Sequence, residues 1–575
     1  MNGPIDIDVL KADYLQKKME KELPHSNNDP PLQKMIDLGK AAEWKTLSEK
    51  PNVLKIHYGQ AAKKIRAESS HRFIGSRFVI TRKAIEEGQD INPHDLATLQ
   101  CKGRWCLQGH LNPDPELKAS EGKLQSPTLN QLSRTTLMQI IASFGWDLQL
   151  GDIKGAFLEA GMLDERFRPL FAHQPPGGIP NLPKDAVIEV LGNVYGQNDA
   201  PASWFATFRQ TAVEAGWIQS TLDACLFTLR CPVSNRLEGI MGVHVDDTAL
   251  GGSGPRFEKA VAALKARFPY RKWRANSGEF CGAFYTQCPK TKQIVMSMRQ
   301  FAHGMKSVNI PKGSPSEQPL ESYQVKLLRG VNGSLNWLAT QSRPDLAAQT
   351  SMSQQAFPHP KIHHLRQASN VVRRARIHGN LAVTFVPIDP AELTLVCHSD
   401  AAFASVGVHT QAGFIVGFTS KKLNDGVEAP WVPATWKSYK LPRAVSSTLA
   451  AESQAMSTAS GTVEWVSLLL SEIIDGPFQD MRYCKDALSR RPPILVTDCK
   501  SLYDHLMSAS ARTSIEDRRT SIDVVIIRDS IRSMSGSLRW EPTNRMLADA
   551  LTKDQGDPLD LLRACMKKLV LPNLP

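Results

Sequence analysis

The chain has 575 residues, 42% of them hydrophobic, and its 69 Lys and Arg residues against 57 Asp and Glu residues give a net charge of +12. One domain per roughly 150 residues predicts three or four domains. No apolar run approaches the ~18 residues of a membrane span, and the N-terminus lacks the basic and apolar regions of a secretory signal. We therefore expect a soluble intracellular protein, whose positive charge favours a polyanionic partner without identifying one.

The first part of the chain combines a polar segment with two short cationic strands. Residues 1–72 are polar and mixed in charge, which indicates an arm or a partial subdomain. Strands are predicted at 77–82 and 103–108. Lys102 and Arg104 could neutralise the phosphates of a triphosphate, and the alternative is a solvated strand face.

Asp152 follows a predicted helix and strand. The apolar spacing over 129–144 predicts a helix that ends at Gly145. The alternation over 146–150 predicts a strand, and Asp152 lies where this strand ends. A strand end fixes the backbone and leaves the side chain in a cleft, which suits a catalytic acid. A capping role is the alternative.

Two adjacent acids interrupt the apolar run from Gly239 to Leu250, and the pattern predicts a tight β-hairpin with Asp246 and Asp247 at or beside its turn. Two like charges repel, and a half-buried carboxylate needs a cation or a donor. The hairpin is thus a candidate metal site, and a solvated turn is the alternative. Strands at 187–195 and 280–285 and a helix at 255–268 complete a β-α-β-β-α-β order.

A basic helix is predicted over 363–378, within a thumb-like or connecting region at about 300–390. It contains Arg366, Arg373, Arg374 and Arg376. Such a helix could lie along a phosphate backbone, and the alternative is a solvated basic face.

The last part of the chain places four acids at predicted strand ends and helix starts. Strands are predicted over 393–400, 411–417, 431–436 and 494–498, with a long helix after hydroxyl caps at 446–448. The acids are Asp400, Glu452, Asp498 and Asp549. Each acid alone is more often a cap or a turn residue.

Several of these segments resemble one family in both order and spacing. Residues 151–158, 194–204, 223–227 and 244–247 resemble the reverse-transcriptase motifs of copia-type LTR retrotransposon Pol polyproteins. Residues 327–346 resemble the segment after the palm in that family. The four acids resemble the RNase H signature, including the Ala-Asp-x-x-Thr-Lys ending. The resemblance covers about residues 75–560.

The resemblance implies an α/β and α+β multidomain chain, in which a right-hand polymerase of fingers, palm and thumb precedes an RNase H-like α/β domain. The expected divisions are 1–72 (N-terminal arm or partial subdomain), 73–300 (fingers and palm), 301–390 (thumb or connection), 391–560 (RNase H-like domain) and 561–575 (C-terminal tail). No protease, gag zinc-knuckle or integrase motif is present, so we expect the carboxy-terminal part of such a polyprotein or a truncated genomic copy.

The resemblance also implies roles for individual residues. Two Mg²⁺ ions, or Mn²⁺, would be held at each of two catalytic centres. The polymerase acids are Asp152, Asp246 and Asp247, and the RNase H acids are Asp400, Glu452, Asp498 and Asp549. Phe157 would pack beneath the incoming sugar and reject a ribose 2′-hydroxyl. Lys102 and Arg104 would contact the triphosphate, and Tyr195 and Gly196 would line the template and nucleotide side.

The implied function is an RNA-directed DNA polymerase joined to an RNase H that cleaves RNA in RNA–DNA hybrids. The implied partners are an RNA template, a DNA primer, the hybrid and dNTPs, with no membrane and no indicated oligomeric state. The implied location is the cytoplasm, in a virus-like particle if the element is complete, with possible nuclear access.

Two departures from the family pattern leave alternatives open. His244 stands where the family commonly has Tyr, and residues 197–204 replace a basic Leu-Lys-Gln-Ala-Pro-Arg-Ala-Trp segment. The first departure lies next to the primer terminus, and the second removes two cations. The alternatives are an RNase H-active remnant with an impaired polymerase and a non-catalytic nucleic-acid-binding remnant.

Overall fold

The structure, a computed structural model, describes residues 22–23, 29–82, 101–120, 122, 124–308, 310, 313–406, 409–478, 480, 484–508, 515–554 and 556–574. Residues 1–21 and 24–28 of the predicted N-terminal arm therefore lie outside the described residues. Within the described ranges, no helix is both long enough and apolar enough to cross a membrane.

The described segments form helices and strands throughout. The strands are β1 (Leu54–His57), β2 (Phe73–Ile74), β3 (Ser76–Arg82), β4 (Cys101–Leu107), β5 (Gln149–Ile153), β6 (Phe171–Ala172), β7 (Val187–Val190), β8 (Ile218–Gln219), β9 (Leu226–Arg230), β10 (Leu237–His244), β11 (Asp247–Gly252), β12 (Tyr270–Ala275), β13 (Ser277–Phe280), β14 (Ala283–Gln287), β15 (Ile294–Ser297), β16 (Val383–Phe385), β17 (Leu393–Val406), β18 (His409–Ser420), β19 (Ala429–Lys440), β20 (Ile494–Thr497), β21 (Ser537–Trp540) and β22 (Val570–Leu571). The helices are α1 (Pro30–Ser48), α2 (Gly59–Glu68), α3 (Pro115–Ser120), α4 (Gln131–Ser143), α5 (Ala200–Glu214), α6 (Pro255–Arg267), α7 (Arg299–Gly304), α8 (Ser322–Gln341), α9 (Ala347–Gln354), α10 (Ile362–Ile377), α11 (Thr448–Asp475), α12 (Lys485–Leu488), α13 (Lys500–Met507), α14 (Arg518–Ser533) and α15 (Asp557–Lys568). Short 3-10 helices include Ala156–Glu159 and Leu547–Leu551.

The N-terminal segment packs directly on the fingers. Helix α1 lies across β4 so closely that a Cβ atom on Gly103 would meet the carbonyl oxygen of Gly39 at 2.6 Å. Trp44 meets Trp105 edge to face, with ring centroids 5.8 Å apart. Strand β1 pairs with β7 in the sheet β1-β7-β6-β2. The boundary expected at residue 72 thus divides one packed unit, because the polar composition of this segment hides one apolar face.

The palm is the antiparallel sheet β12-β5-β11-β10-β9-β8. Helix α4 confirms the helix predicted over 129–144, since Asn130 caps its start by accepting a hydrogen bond from the Ser133 amide, and Gly145 (φ +68°) follows its end. Most of α4 is buried, as is typical of a helix packed on several sides.

Two predicted strands of this region have different bounds. The strand predicted over 187–195 ends at Val190. The chain then turns at Gly196 (φ +87°), which packs against β4. The strand predicted over 146–150 is β5, which begins at Gln149. Asp152 is the penultimate residue of β5, close to the strand end at which it was predicted.

The C-terminal part is the sheet β21-β20-β17-β18-β19-β22. Strands β17, β18 and β19 form an antiparallel meander, whereas β20 pairs in parallel with both β17 and β21. Helix α11 packs on this sheet. Residues 561–574 of the predicted tail include the second half of α15 and strand β22, which pairs with β19, and Pro575 lies outside the described residues. The chain thus combines an antiparallel sheet with a mixed parallel and antiparallel sheet, as the predicted α/β and α+β multidomain class requires.

The palm and the RNase H-like domain share one continuous apolar core. The Thr135 hydroxyl of α4 donates to the Ala434 carbonyl of β19 at 2.8 Å, and the Trp436 indole donates to the Ala339 carbonyl at 2.8 Å. The two regions are therefore packed together as well as joined by the chain.

Candidate active sites

The β10–β11 hairpin presents Asp246 in its turn and Asp247 at the start of β11, as predicted. Val245 takes φ +57°, a left-handed conformation that is strained for a β-branched residue. Its carbonyl accepts a 2.6 Å hydrogen bond from the Trp204 indole. The Asp246 carbonyl accepts one from the Ile153 amide at 2.9 Å, so neighbouring elements hold the turn.

Strand pairing brings Asp152 to this hairpin. Asp152 and Asp247 are direct partners across β5 and β11, so their side chains project from the same face of the sheet, with Cβ atoms about 5 Å apart. Asp246 lies in the turn, directly before Asp247 at the start of β11. The structure thus places the three predicted polymerase acids at one edge of the palm.

Burial and mutual repulsion raise the pKa values of Asp246 and Asp247. Burial, followed by the charges of Asp246, Asp152 and Glu279, raises the pKa of Asp247 to about 7, while Arg271 opposes the shift. Burial also raises the pKa of Asp246, and Asp152 adds to that shift. A divalent cation would relieve this repulsion, and carboxylate oxygens are the ligands that Mg²⁺ prefers.

Arg271 is a site residue that the sequence did not identify. It lies on β12, and its Nη2 donates to Asp152 Oδ2 at 2.5 Å. Lys102 and Arg104 belong to the same charged region, since burial and the charges of Arg104 and Arg271 lower the pKa of Lys102, whereas Asp152 opposes the shift. The alternation of β12 could have indicated an exposed cation, but its partner depends on the pairing of β12 with β5.

An aromatic pair borders the acids. Phe157, half-buried in the 3-10 helix, meets Tyr195 edge to face with ring centroids 5.8 Å apart. The guanidinium of Arg104 lies 5.5 Å from the centroid of the Tyr195 ring. These two contacts connect the predicted sugar-binding and triphosphate-binding residues.

Gly196 is fixed by packing. A Cβ atom there would lie 2.1 Å from the Leu107 carbonyl oxygen, and the Leu107 amide donates to the Tyr195 carbonyl at 2.8 Å. With its positive φ, this position requires glycine. Gly196 therefore holds Tyr195 beside β4.

The two departures from the family pattern have different surroundings. His244 is the strand partner of Asp247 and is half-buried. Burial and the charge of Arg134 lower its pKa, and among the described residues its Nδ1 has no hydrogen-bond partner. Asp199 forms a buried ion pair with Lys118, with 2.8 Å between Nζ and Oδ2. The acid at position 199 thus has a structural role.

The C-terminal domain holds a more compact acidic centre. One carboxylate oxygen from each of Asp400, Glu452 and Asp498 lies within 4.8 Å of the other two. Asp498 directly follows β20, and Glu452 lies in the second turn of α11. Asp400, predicted at a strand end, lies inside β17, because β17 stays paired with β18 beyond it. Among the described residues, the polymerase acids do not meet the same distance criterion.

Asp549 reaches this centre from the 3-10 helix Leu547–Leu551 but is not part of the three-acid group. Lys553 forms an ion pair with Asp549 Oδ2, and the Thr552 hydroxyl donates to Asp400 Oδ2. Burial and then the charge of Asp400 raise the pKa of Asp549, while Lys553 opposes the shift.

The donor set fits a divalent cation. Glu452 Oε2 and Asp549 Oδ1 are buried and have no hydrogen-bond partner among the described residues. Burial and the charges of Asp400 and Asp498 raise the pKa of Glu452 well above its usual range. Buried carboxylate oxygens without donors are costly unless a cation compensates them.

The predicted basic helix, α10, has most of its arginines in contacts within the chain. Arg366 donates to Ser316 Oγ at 2.9 Å, Arg374 to the Asp554 carbonyl at 3.0 Å, and Arg376 to the Met305 carbonyl. Arg373 is exposed. Three of the four arginines thus bond to neighbouring segments of the chain, and the interaction of this helix with a phosphate backbone stays a prediction.

The chain is similar to reverse transcriptases and to Pol polyproteins of transposons. Residues 62–320 match the family described as "Reverse transcriptase (RNA-dependent DNA polymerase)". The predicted resemblance to copia-type Pol polyproteins is confirmed as well. The chain is 23% identical to the "Retrovirus-related Pol polyprotein from transposon RE1" of Arabidopsis thaliana, over 84% of this chain and 30% of that protein.

Other similarities are partial or weak. The "Putative transposon Ty5-1 protein YCL074W" of Saccharomyces cerevisiae is 23% identical over 50% of this chain and 96% of that protein. The chain spans about a third of the length of the Arabidopsis Pol polyproteins that it matches. A solved foamy viral protease-reverse transcriptase in complex with an RNA/DNA hybrid is 11% identical, with a TM-score of 0.42, over 94% of this chain and 64% of that chain.

Proposed function

We propose that this chain is an RNA-directed DNA polymerase of a retrotransposon, with a C-terminal RNase H that cleaves RNA in RNA–DNA hybrids. The observation that carries the proposal is the presence of two separate carboxylate centres in one chain. One centre is the Asp152–Asp247 strand pair beside Asp246, and the other is the Asp400–Glu452–Asp498 group.

In the polymerase, Asp152, Asp246 and Asp247 would hold two Mg²⁺ ions. The ions would stabilise the charge that develops on the attacking 3′-oxygen and on the leaving pyrophosphate. Lys102 and Arg104 would bind the phosphates of the incoming nucleotide. Their place in the electrostatic field of Asp152 and Asp246 supports this role.

Phe157, Tyr195 and Gly196 would shape the nucleotide site. The Phe157 ring would exclude a ribose 2′-hydroxyl, since it is half-buried and held by its edge contact with Tyr195. Gly196 would keep Tyr195 against the fingers through the close contact with Leu107.

In the RNase H-like domain, Asp400, Glu452, Asp498 and Asp549 would hold two Mg²⁺ ions. Asp498 is oriented by Thr543, whose hydroxyl donates to its Oδ2 at 2.6 Å. Orientation of a ligating carboxylate by such a neighbour is typical of metal centres. Recognition of the hybrid would rest on backbone shape and 2′-hydroxyls, with little base preference.

The partners that we propose are an RNA template, a DNA primer, the RNA–DNA hybrid and dNTPs. The net charge of +12 supports a nucleic-acid partner. We propose a cytoplasmic site of action, in a virus-like particle if the element is complete, with possible nuclear access. The thumb and RNase H-like divisions at about residues 301 and 391 are likewise proposals.

A crossed substitution experiment tests the proposal. Purified chain is assayed with Mg²⁺ for primer extension on an RNA template and for hybrid cleavage. Asp246→Asn should abolish extension and spare cleavage, and Asp498→Asn should do the reverse. Asp147→Asn and Asp504→Asn are matched controls, because both acids are exposed and paired with lysines outside the centres. Unchanged activity in either active-site variant would contradict that assignment.

A second candidate is a chain with RNase H activity and an impaired polymerase. The specific observation in its favour is the ion pair of Arg271 with Asp152, in a centre whose acids are less compact than those of the RNase H-like domain. Hybrid cleavage without detectable extension by the unaltered chain would support this candidate over the first.

A further inference from the structure

A buried ion pair joins helix α3 to the loop that carries Tyr195 and Gly196. Lys118 Nζ lies 2.8 Å from Asp199 Oδ2, and the two side chains are 2% and 4% exposed. Asp199 Oδ1 has no hydrogen-bond partner among the described residues. A buried charge that loses its partner is costly, so each of these residues depends on the other for its place in the fold.

Asp199 directly precedes helix α5 but does not cap it. An aspartate at this position usually accepts hydrogen bonds from the first amides of the helix, whereas the Asp199 side chain accepts none of them. Its carboxylate is turned to Lys118 instead. The ion pair thus fixes the point at which the loop enters α5.

Helix α3 is itself held by the segment before β2. The guanidinium of Arg72 forms two hydrogen bonds with Asp114, which directly precedes the helix, at 2.7 and 2.8 Å. It also donates to the Phe167 carbonyl at 3.0 Å. The Lys118 ammonium lies 4.9 Å from the centroid of the Phe167 ring. Lys118 therefore projects from a fixed support, and the loop is the part that the ion pair holds.

The other contacts of this loop lead to the residues assigned to the nucleotide site. Asn198 Nδ2 donates to the Gly109 carbonyl at 3.0 Å, just beyond β4. The Tyr195 ring, four residues before Asp199, meets Phe157 edge to face. A displacement of Asp199 would therefore reach the two aromatic rings through a short stretch of chain.

We propose that Lys118 is a positioning residue of the nucleotide site, which acts through Asp199 on Tyr195. Residues 197–204 lack the two cations of the family pattern, and Lys118 supplies a cation to this segment from α3. It would not contact the nucleotide itself. This inference rests on the proposed polymerase function and adds that an ion pair fits the altered segment to the site.

Steady-state primer extension on an RNA template measures this role. Lys118→Met should raise the KM for dNTP by about fivefold or more and leave kcat within about threefold, because Lys118 holds a binding loop and no reacting group. The preference for dNTP over ribonucleotides should fall as well, since Phe157 loses its support. Lys118→Arg, which retains the charge, should keep most of the affinity. Hybrid cleavage by the same molecules should not change.

A double variant separates positioning from stability. Lys118→Met alone leaves Asp199 as a buried unpaired charge, which should lower the thermal unfolding midpoint. Lys118→Met combined with Asp199→Leu removes both charges and should restore the midpoint but not the KM. If the KM returned together with the midpoint, the pair would be merely structural and the inference would be overturned.

Lys292→Met is the matched control. Lys292 is also paired with an aspartate, Asp147, at 2.6 Å, but this pair lies outside the loop at residues 194–201. The variant should change neither the KM for dNTP nor hybrid cleavage. An equal rise of the KM in Lys292→Met would overturn a specific role of Lys118.

Hydrogen–deuterium exchange of the substrate-free chain tests the loop without any activity. Exchange over residues 194–201 should be faster in the double variant than in the unaltered chain, and unchanged in Lys292→Met. Equal exchange in the double variant and the unaltered chain would overturn the inference. Faster exchange in the double variant, with no primer extension by the unaltered chain, would support the hold of the ion pair on the loop and contradict the proposed polymerase function alone.

Discussion

Both acidic centres of this chain place carboxylates close enough to repel one another, but they differ in burial and in the elements that hold the acids. The polymerase acids lie on a hairpin turn and a neighbouring strand, and the Asp152 side chain remains 26% exposed. The acids of the C-terminal centre come from a strand, a helix, the residue after a second strand and a 3-10 helix. Asp400, Glu452 and Asp549 are each at most 6% exposed. In both centres a basic side chain of the same chain neutralises one acid.

The difference shows that a compact group of buried carboxylates carries a cost in folding free energy. Rigid, buried elements hold the Asp400–Glu452–Asp498 group in place, so little movement is needed to bind an ion. The same burial makes charged carboxylates unfavourable without that ion. The Asp152–Asp246–Asp247 centre costs less free energy to fold, because Asp152 is more exposed. To bind an ion, however, its acids and Arg271 must move more than the acids of the Asp400–Glu452–Asp498 group.

The largest expected effect comes from neutralising Glu452, a buried acid of the C-terminal centre. Glu452→Gln should lower hybrid cleavage by roughly 10²–10³-fold and leave primer extension within about twofold. Without metal at pH 8, it should also raise the free energy of unfolding by about 1–3 kcal/mol. The folded protein raises the pKa of Glu452, so its ionisation destabilises the fold progressively as pH rises above the unfolded value.

Urea denaturation at pH 8 and at pH 4 measures this difference. The stabilisation should be present at pH 8 and nearly absent at pH 4, where the unfolded carboxyl is also largely protonated. Glu464→Gln, on the same helix but outside the centre, should change neither activity nor stability. A loss of stability in Glu452→Gln at pH 8 would show that the comparison between the centres is wrong.

The next largest effect should come from Arg230, which links the sheet of the first acidic centre to the helix that carries Glu452 of the second. Arg230 on β9 donates to the carbonyls of Glu472 and Ile473 at the end of α11. The Glu472 carboxylate accepts from the Thr221 amide at 2.7 Å. Glu452 lies 20 residues earlier on the same helix, about 30 Å away at 1.5 Å per residue. The sheet that carries Asp152 and Asp247 therefore anchors the helix that carries Glu452.

Arg230→Met should lower the free energy of unfolding by roughly 2–4 kcal/mol, because it removes the arginine donor from the Ile473 carbonyl and leaves the Glu472 carbonyl with the Gly476 amide alone. Both activities should fall together at temperatures near the shifted midpoint. Arg236→Met, which removes an exposed arginine from the neighbouring turn, is the control. Loss of one activity with full retention of the other would show that α11 does not couple the two domains.

The sequence predicted individual helices, strands and turns better than it predicted which strands pair with one another. The Asp246–Asp247 hairpin follows from an apolar run broken by two acids, and Ser447 caps α11 as the hydroxyl pattern predicted. Asp152 was predicted to within one residue of the end of β5, whereas Asp400 was wrongly placed at a strand end, because the length of β17 depends on its pairing with β18. Pairing over such sequence distances is not encoded in local alternation.

Charged residues were the hardest to interpret for the same reason. Arg271 and Lys553 each became a site residue only through a contact that the fold creates. The arginines of α10 have the periodicity of an exposed face, yet Arg366, Arg374 and Arg376 bond within the chain. A long cationic side chain can reach a carbonyl or a phosphate equally well, and sequence alone does not distinguish these acceptors.

A smaller effect should appear in the pH dependence of the polymerase centre. Because the pKa of Asp247 is raised to about 7, protons compete with Mg²⁺ below that pH. Between pH 7 and pH 6, the Mg²⁺ concentration for half-maximal primer extension should rise by up to about tenfold. From pH 9 to pH 8 it should hardly change. Mg²⁺ titrations of extension at each pH measure this, and a flat profile would contradict the raised pKa.

The smallest effect concerns His244, and it decides between the two candidate functions. His244 is half-buried, and its Nδ1 has no partner among the described residues. A tyrosine would retain an aromatic ring at this position and extend a hydroxyl beyond the strand end. His244→Tyr should therefore raise primer extension about two- to fivefold, a gain of less than about 1 kcal/mol in the barrier, with cleavage unchanged.

His244→Phe separates the ring from the hydroxyl. If the hydroxyl contacts the primer terminus, Phe should not reproduce the gain of Tyr. If both variants extend primers no better than the unaltered chain, His244 is not the limit on the polymerase. The more open arrangement of Asp152, Asp246 and Asp247 would then be the difference between the centres that matters for activity.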